Sequence, residues 1–389
     1  MTPPPEAASP PPPQGGAASG PAKPVPRRPL AKAQPKLVRR AIHGVLLLDK
    51  PLGWSSNDAL QKAKWLLRAE KAGHTGTLDP LATGLLPLCF GAATKFSQVS
   101  LDADKAYRAT LRLGQRTSTG DLEGEVLQDR PVNVDRATVD AAIARFTGLI
   151  AQIPPMHSAI KKDGKALYEY ARAGIEVERA ARHVTIHAID IIDWQDAADA
   201  PTLVIDVRCS KGTYIRTLAE DIGEALGCGA HLTALRRSAS GPLSLDLAIS
   251  LADLESLDEP ARLALLLPVD ALLTDWPRLT LEADEAGRFL TGLRRRVTQP
   301  DIAAVKVYGP ETGAFLGSAH ICAGELIADR LLSPVEVQAQ LPAAHPLEPP
   351  SALDSRANTS ADTNAAVIAA SDLIPAPAAA NPPELAPAA

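Results

Sequence analysis

The sequence predicts an α+β fold, and three observations lead there. KAYRATLRLG, starting at Lys105, and LVIDVRC, starting at Leu203, alternate apolar and polar residues with the period of two of a half-buried strand. Other segments carry helical spacing: Leu60, Ala63 and Leu67 in one, Leu218, Ile222 and Leu226 in another. Toward the C-terminus, the turn GPETG joins two apolar runs as a hairpin would. No internal repeat is present, and 389 residues suffice for two domains and a sizeable core.

Residues 1–42 are rich in Pro and Ala and carry Lys23, Arg27, Arg28, Lys32, Lys36, Arg39 and Arg40 against Glu6, which predicts a disordered basic arm. The ordered part begins with GVLLLDKPLGWSSN, where the run Val45 to Leu48 reads as a buried strand delivering a polar turn at Asp49, Lys50 and Pro51. Ser55 or Ser56 can cap a helix to about Ala69, with Gly73 past its end. GHTGTLDPLATGLL (73–86) follows as a shaped loop: Gly73, Gly76 and Gly84 permit backbone angles that side chains forbid, and Pro80 fixes φ directly after Asp79. A carboxylate so placed is a candidate reactive group. Taken alone, it reads first as the residue type that makes local hydrogen bonds in turns.

The Lys105 strand puts Tyr107, Ala109, Leu111 and Leu113 on the core side, where Tyr107 by itself reads as a core tyrosine. Residues 135–147 are expected to be helical, and IPPMHSAIKKDGKALYEYARAG gives a Pro-rich turn, a basic loop and a helix with Tyr168 and Tyr170. LVIDVRC runs into SKGTYIRTLAEDIGEALGCGAHLTALRR; if the extended conformation persists, Tyr214 and Arg216 share a face. From about Ala271 a short helix with a small β structure is expected. From about Ser333 to Ala389, six acids against Arg356 in a Pro, Ala, Ser and Asn background predict a disordered acidic tail.

The formal net charge is −5, and subtracting the two tails leaves the middle of the chain at about −6, so no global positive field steers an anionic partner. Local patches remain: Lys161, Lys162 and Lys165; Lys211, Arg216, Arg236 and Arg237; and Arg294 to Arg296. Each alone reads as a solvated face. Cys89, Cys209, Cys228 and Cys322 lie far apart, without the spacing of a zinc site or a disulfide framework. No apolar run reaches the length of a membrane span, and neither a phosphate-binding glycine loop nor a dinucleotide fingerprint occurs. A soluble, reducing, cytoplasmic setting is expected.

Four segments, DKPLGWSSN, AGHTGTLDPLATGLLPLCFGAATKF, DKAYRATLRLGQRTSTGD and CSKGTYIRTLAEDIGEALGCGAHLTALRR, occur in the order and spacing of the TruB family of pseudouridine synthases. The resemblance covers residues 43 to 330. It implies a pseudouridine-synthase catalytic domain over 43–270, with a mixed, largely antiparallel sheet flanked by helices and a cleft crossing the sheet. A small PUA-like RNA-binding domain would span 271–332. The implied reaction is isomerisation of uridine 55 in the T arm of tRNA, by a monomer, without guide RNA, metal or cofactor. Asp79 would be the reactive carboxylate and Arg216 its partner. His74 would hold the target nucleotide out of its stack, Tyr107 stack on the uracil, Tyr214 line the pocket and Leu235 form its apolar wall. Lys50 and Pro51 would support the pocket.

The chemistry fits this inventory. The N1–C1′ bond must break, the uracil turn in place and C5 join C1′. A glycoside hydrolase normally needs two carboxylates, but uracil can leave as a delocalised anion, so one can suffice where water is excluded. Asp79, followed by Leu81, Leu85 and Leu86, offers charge in apolar surroundings. An apposed Arg216 would keep it ionised against burial. Attack on C1′ and abstraction of the 2′ proton both remain open. So do two rival functions: a synthase acting on rRNA or another tRNA site, and a tRNA-binding or tRNA-folding protein.

Overall fold

The apolar run after Gly44 forms β1 (Gly44–Lys50) and is buried on both faces, so it reads as a continuous run rather than an alternation. In the computed structural model, residues 38–340 are described, apart from 196, 198, 199, 311 and 312. The expected basic arm up to residue 37, the tail beyond 340 and part of the GPETG turn lie outside the described residues. The arm's last residues are already fixed: the Arg40 amide donates to the Arg68 carbonyl at 2.8 Å, and its guanidinium meets Glu259 at 2.7 Å.

Ser55 caps α1 (Ser56–Leu66) by accepting the Asp58 amide, a bond that contributes about 1 kcal/mol. The helix stops short of Ala69, with Arg68 at φ +53°. The stretch expected as one loop opens with a strand, β2 (Ala72–His74), and closes into another, β3 (Ala82–Phe90). After α2 (Ser97–Asp102) come β4 (Lys105–Leu113) and a hairpin of β5 (Gln115–Thr117) and β6 (Val126–Asp129). The helix expected over 135–147 is α3 (Arg136–Ala144), capped by Asp135. β7 (Gly148–Gln152) follows; the basic loop is a small hairpin, β8 (Lys161–Lys162) and β9 (Lys165–Ala166), leading into α4 (Leu167–Arg172). Next come β10 (Arg182–Gln195), β11 (Thr202–Cys209), α5 (Ile215–Ala225) and β12 (Ala230–Ser240). β13 (Leu243–Ser244), β14 (Ile249–Ser250), α6 (Leu251–Ser256) and α7 (Glu259–Ala264) complete this part.

These strands build a ten-stranded mixed sheet, with path β14-β1-β3-β12-β4-β11-β10-β7, β13 beside β12 and β2 beside β3. β1–β14 and β3–β12 are parallel and the other pairs antiparallel. On one face, Leu46, Leu48, Leu86 and Leu88 pack with Leu60 and Ala63 of α1. Ala109, Leu111, Ile205 and Val207 pack with Leu218 and Ile222 of α5. Tyr107 and Leu235 touch both groups, so the two helical walls part over the middle of the sheet. No helix among the described residues is long and apolar enough to cross a membrane.

The C-terminal sheet runs β15 (Arg278–Thr280), β17 (Ile302–Tyr308), β18 (Phe315–Cys322), β19 (Glu325–Leu331) and β16 (Arg295–Arg296), with α8 (Ala283–Leu290) burying Phe289 against it. Its Phe315 packs 5.2 Å from Phe96, ring centre to ring centre, and joins Val45, Leu47 and Leu85 on the other face of the large sheet. The expected tail also begins later than Ser333. Ser333 and Glu336 form a reciprocal cap on α9 (Pro334–Gln338), and Glu336 pairs with Lys95 at 2.6 Å.

Candidate active site

The site grows from the stretch between β2 and β3. Asp79 sits on a short loop whose backbone is held by the DKPLGWSSN segment. Ser56, buried, accepts the Leu78 amide at 2.7 Å and donates to the Leu78 carbonyl at 3.0 Å. The Gly53 amide donates to the Pro80 carbonyl at 2.9 Å. Lys50, fully buried, places its ammonium on the carbonyls of Pro51 (2.9 Å), Trp54 (2.5 Å) and Pro80 (3.4 Å). Burial pulls its pKa from 10.5 to about 8, against the opposing pull of the Asp79 carboxylate.

The Asp79 side chain remains 42% exposed and meets Arg216 Nη2 at 2.9 Å. Arg216 comes from the first turn of α5 and is 7% exposed. Its other contacts are the Thr119 carbonyl (3.1 Å), the His157 carbonyl (2.8 Å) and Asp121 Oδ2 (3.6 Å). A buried guanidinium shared by two carboxylates and two carbonyls has its charge compensated and its plane fixed. The loop's own Leu78 and Leu86 supply apolar surroundings on this face, whereas Leu85 alternates to the opposite one.

Tyr107 on β4 stands opposite Arg237 on β12, and Leu235 is opposite Ala109, two positions along the same face. Arg237 is 1% exposed and donates to the carbonyls of Leu85 (2.7 Å) and Gly76 (3.3 Å). Gly84, at φ +98°, is obligatory at this crossing: a Cβ there would lie 2.3 Å from the Arg237 carbonyl. Burial raises the Tyr107 pKa, with the Arg237 charge and a hydrogen bond from it pulling the other way. His74 ends β2; burial and then Arg237 lower its pKa, so the ring is neutral at pH 7. Its Nδ1 is buried without a hydrogen-bond partner among the described residues.

Tyr214 does not continue an extended segment with Arg216, because it is the N-cap of α5 and the helix begins at Ile215. Its backbone is held by Gln152, which donates to the Tyr214 carbonyl at 3.3 Å and accepts its amide at 3.1 Å. Burial raises the Tyr214 pKa, so the hydroxyl keeps its proton at neutral pH.

Two groupings read from sequence come apart. Arg236 and Arg237, adjacent in one basic patch, point to opposite faces of β12: Arg237 is buried, while Arg236 is exposed and paired with Asp49 at 2.7 Å. Lys211 pairs with Asp102 at 2.9 Å, Arg294 with Glu325 at 3.6 Å, and Arg295 with Glu285. Sequence reasoning also missed Asp121 and Ser56. Asp121 stands in the STGD run and Ser56 in a pair of serines, types that caps and turns use freely, and no spacing ties either to Asp79.

Comparisons with known proteins identify the family of the chain. The profile of the TruB family pseudouridylate synthase N-terminal domain matches residues 64–215. That of the tRNA pseudouridylate synthase B C-terminal domain matches 216–274, and a pseudouridine synthase II TruB C-terminal profile matches 277–332. Tests against relatives give 63% identity over 305 residues to tRNA pseudouridine synthase B of Cupriavidus pinatubonensis, covering 77% of this chain and 96% of that protein. The counterpart in Verminephrobacter eiseniae is 60% identical, covering 80% and 95%. Among solved structures, a Cbf5-Nop10-Gar1 complex aligns with TM-score 0.58 at 24% identity over 78% of this chain and 91% of that one, which shows a shared fold. With three profiles following one another over residues 64–332 and relatives at least 60% identical over most of their own length, the chain belongs to the TruB family of pseudouridylate synthases.

Proposed function

We propose that this chain isomerises uridine to pseudouridine at position 55 in the T arm of tRNA, with Asp79 as the reacting carboxylate. The observation that carries the reading is the 2.9 Å Asp79–Arg216 pair, within electrostatic reach of Tyr107, which with Leu235 packs at the junction of the two apolar groups. A uridine in a folded loop has to leave its stack before its sugar can be reached, at a cost of a few kcal/mol. The neutral His74 ring and the face of Tyr107 supply stacking surfaces, worth about 1–3 kcal/mol per base.

With the base docked, an Asp79 oxygen either attacks C1′ or takes the 2′ proton. In both routes the N1–C1′ bonding pair leaves with the uracil anion. The uracil turns and C5 bonds to C1′; in the first route the Asp79–C1′ bond breaks as it does so, in the second Asp79 returns the proton to C2′, and in both the proton lost from C5 is replaced by one on N1, so no atom is gained or lost overall. Tyr214, protonated at neutral pH, is the candidate carrier of that proton. Asp79 is partly exposed before substrate arrives, so the docked nucleotide itself completes the exclusion of water. Residues 43–270 form the catalytic part of this reading, and the C-terminal unit from 271 to 332 extends the RNA surface of a cytoplasmic monomer acting without guide RNA.

Pseudouridine mapping of a tRNA transcript incubated with the purified chain tests the assignment. Product at position 55, and none on a transcript with cytidine there, is expected. Product only at another tRNA position, or only on rRNA, overturns it.

A further inference from the structure

The turn that grips the Asp79 loop carries two large apolar side chains outward. Leu52 is 64% exposed and Trp54 37% exposed, on either side of Gly53, whose φ of +80° no ordinary side chain adopts cheaply. Their backbone is rigid by construction. The Gly53 amide binds the Pro80 carbonyl, the Trp54 carbonyl accepts Lys50, Ser55 caps α1 and Ser56 clasps Leu78. Trp54 therefore stands on a turn tied by hydrogen bonds to Leu78 and Pro80, the two neighbours of Asp79, and is partly open to water. Across the pair, the loop holding Asp121 carries Leu122, 58% exposed. Glu123 of that loop acts electrostatically on Lys50, which puts the two loops at one rim.

Building on the reading of the cleft as an RNA site, we propose that Trp54 is a stacking platform for a second nucleobase of the substrate loop, a neighbour of the uridine taken by Tyr107. When the target leaves its stack, the flanking bases lose a partner. A fixed indole beside the cleft restores one face, and stacking suits any base because every base has a π face. Charge does not drive this contact: the Lys50 ammonium behind Trp54 is buried and held by three carbonyls, that of Trp54 among them, and Glu123 acts on it electrostatically. The occupant is thus a base and not a phosphate.

The test compares the parent with Trp54→Leu and Trp54→Phe on a T-arm stem-loop RNA carrying the target uridine. Trp54→Leu should raise KM roughly tenfold with kcat within about twofold of the parent, and Trp54→Phe should fall between them. The Trp54→Leu defect should be equal at low and high salt, unlike the loss of a phosphate contact. RNA should quench the tryptophan fluorescence of the parent, and that quench should vanish in Trp54→Phe while Trp65, Trp194 and Trp276 still emit. The quench arm decides the matter even where Trp54→Leu unfolds. A parent that modifies the RNA while both variants match it in KM and quench overturns the inference alone. Quenching that grows with protein concentration in the absence of RNA also overturns it, since a second copy would then cover the indole. A parent that neither binds nor modifies the RNA overturns the reading of the cleft, and this inference with it.

Discussion

The two walls of the cleft hold Asp79 by different means. The α1 wall grips its backbone: Ser56 on Leu78, Gly53 and Lys50 on the Pro80 carbonyl. The α5 wall grips its carboxylate through Arg216, itself locked by Asp121 and two carbonyls. Backbone bonds decide where the residue stands, whereas the ion pair decides where its oxygens point. Damage to the α5 wall should therefore appear in the chemical step, and damage to the α1 wall in stability first.

The sharpest break is at the carboxylate both walls serve. Asp79→Asn keeps the shape and loses the charge, so the single-turnover rate should fall by at least about a thousandfold, with the melting temperature and tRNA affinity close to the parent's. A rate near the parent's would sink the role of Asp79. Next in size, Arg216→Lys should slow single turnover roughly a hundredfold, about 3 kcal/mol, because an ammonium cannot span Asp79, Asp121 and two carbonyls at once. A parental rate there would mean that the α5 wall serves only the fold.

At the seam between the walls, Tyr107→Leu should cost about 1–3 kcal/mol of stacking, read as weaker substrate capture, and Tyr107→Phe much less. Equal losses would shift the weight from the ring to the hydroxyl that meets Arg237. On the α1 wall, Ser56→Ala strands the buried amide and carbonyl of Leu78 and should lower unfolding free energy by about 1–3 kcal/mol, while the rate at 25 °C falls less than about tenfold. If the rate falls further than that, the two walls are not separable. The smallest effect is a pH dependence from Lys50. Its folded pKa, about 8, lies below its ordinary 10.5, so the unfolded chain binds more protons between those values. Its contribution is therefore least favourable below pH 8 and improves as pH rises toward 10.5. Denaturant unfolding across that window should rise less steeply for Lys50→Met than for the parent. Lys105, lowered to about 8 by burial, leaves part of the slope in both.

Much of the architecture was legible because local rules and tertiary packing agreed. The alternation of β4 and β11 and the capped starts of α1 and α3 all mark themselves in the residues. The misplaced boundaries have specific causes. The loop from Gly73 is half strand because β3 offers a neighbour for β2 to pair with, a non-local gain no glycine count reveals. The expected acidic tail first makes α9 because Lys95, far away in sequence, waits for Glu336.

The sequence by itself offered Asp79 as a candidate, a carboxylate set before proline in a glycine-shaped loop, and it carried the family resemblance through four ordered segments. Only the tertiary structure decided the company Asp79 keeps. Arg216 meets it from the first turn of α5, which starts at Ile215, and Arg236 turns away because successive strand residues oppose each other. Asp121 and Ser56 reach the site from 42 residues after Asp79 and 23 before it. Contacts between such distant positions depend on sheet order and register, which the whole chain's packing sets and no short stretch encodes.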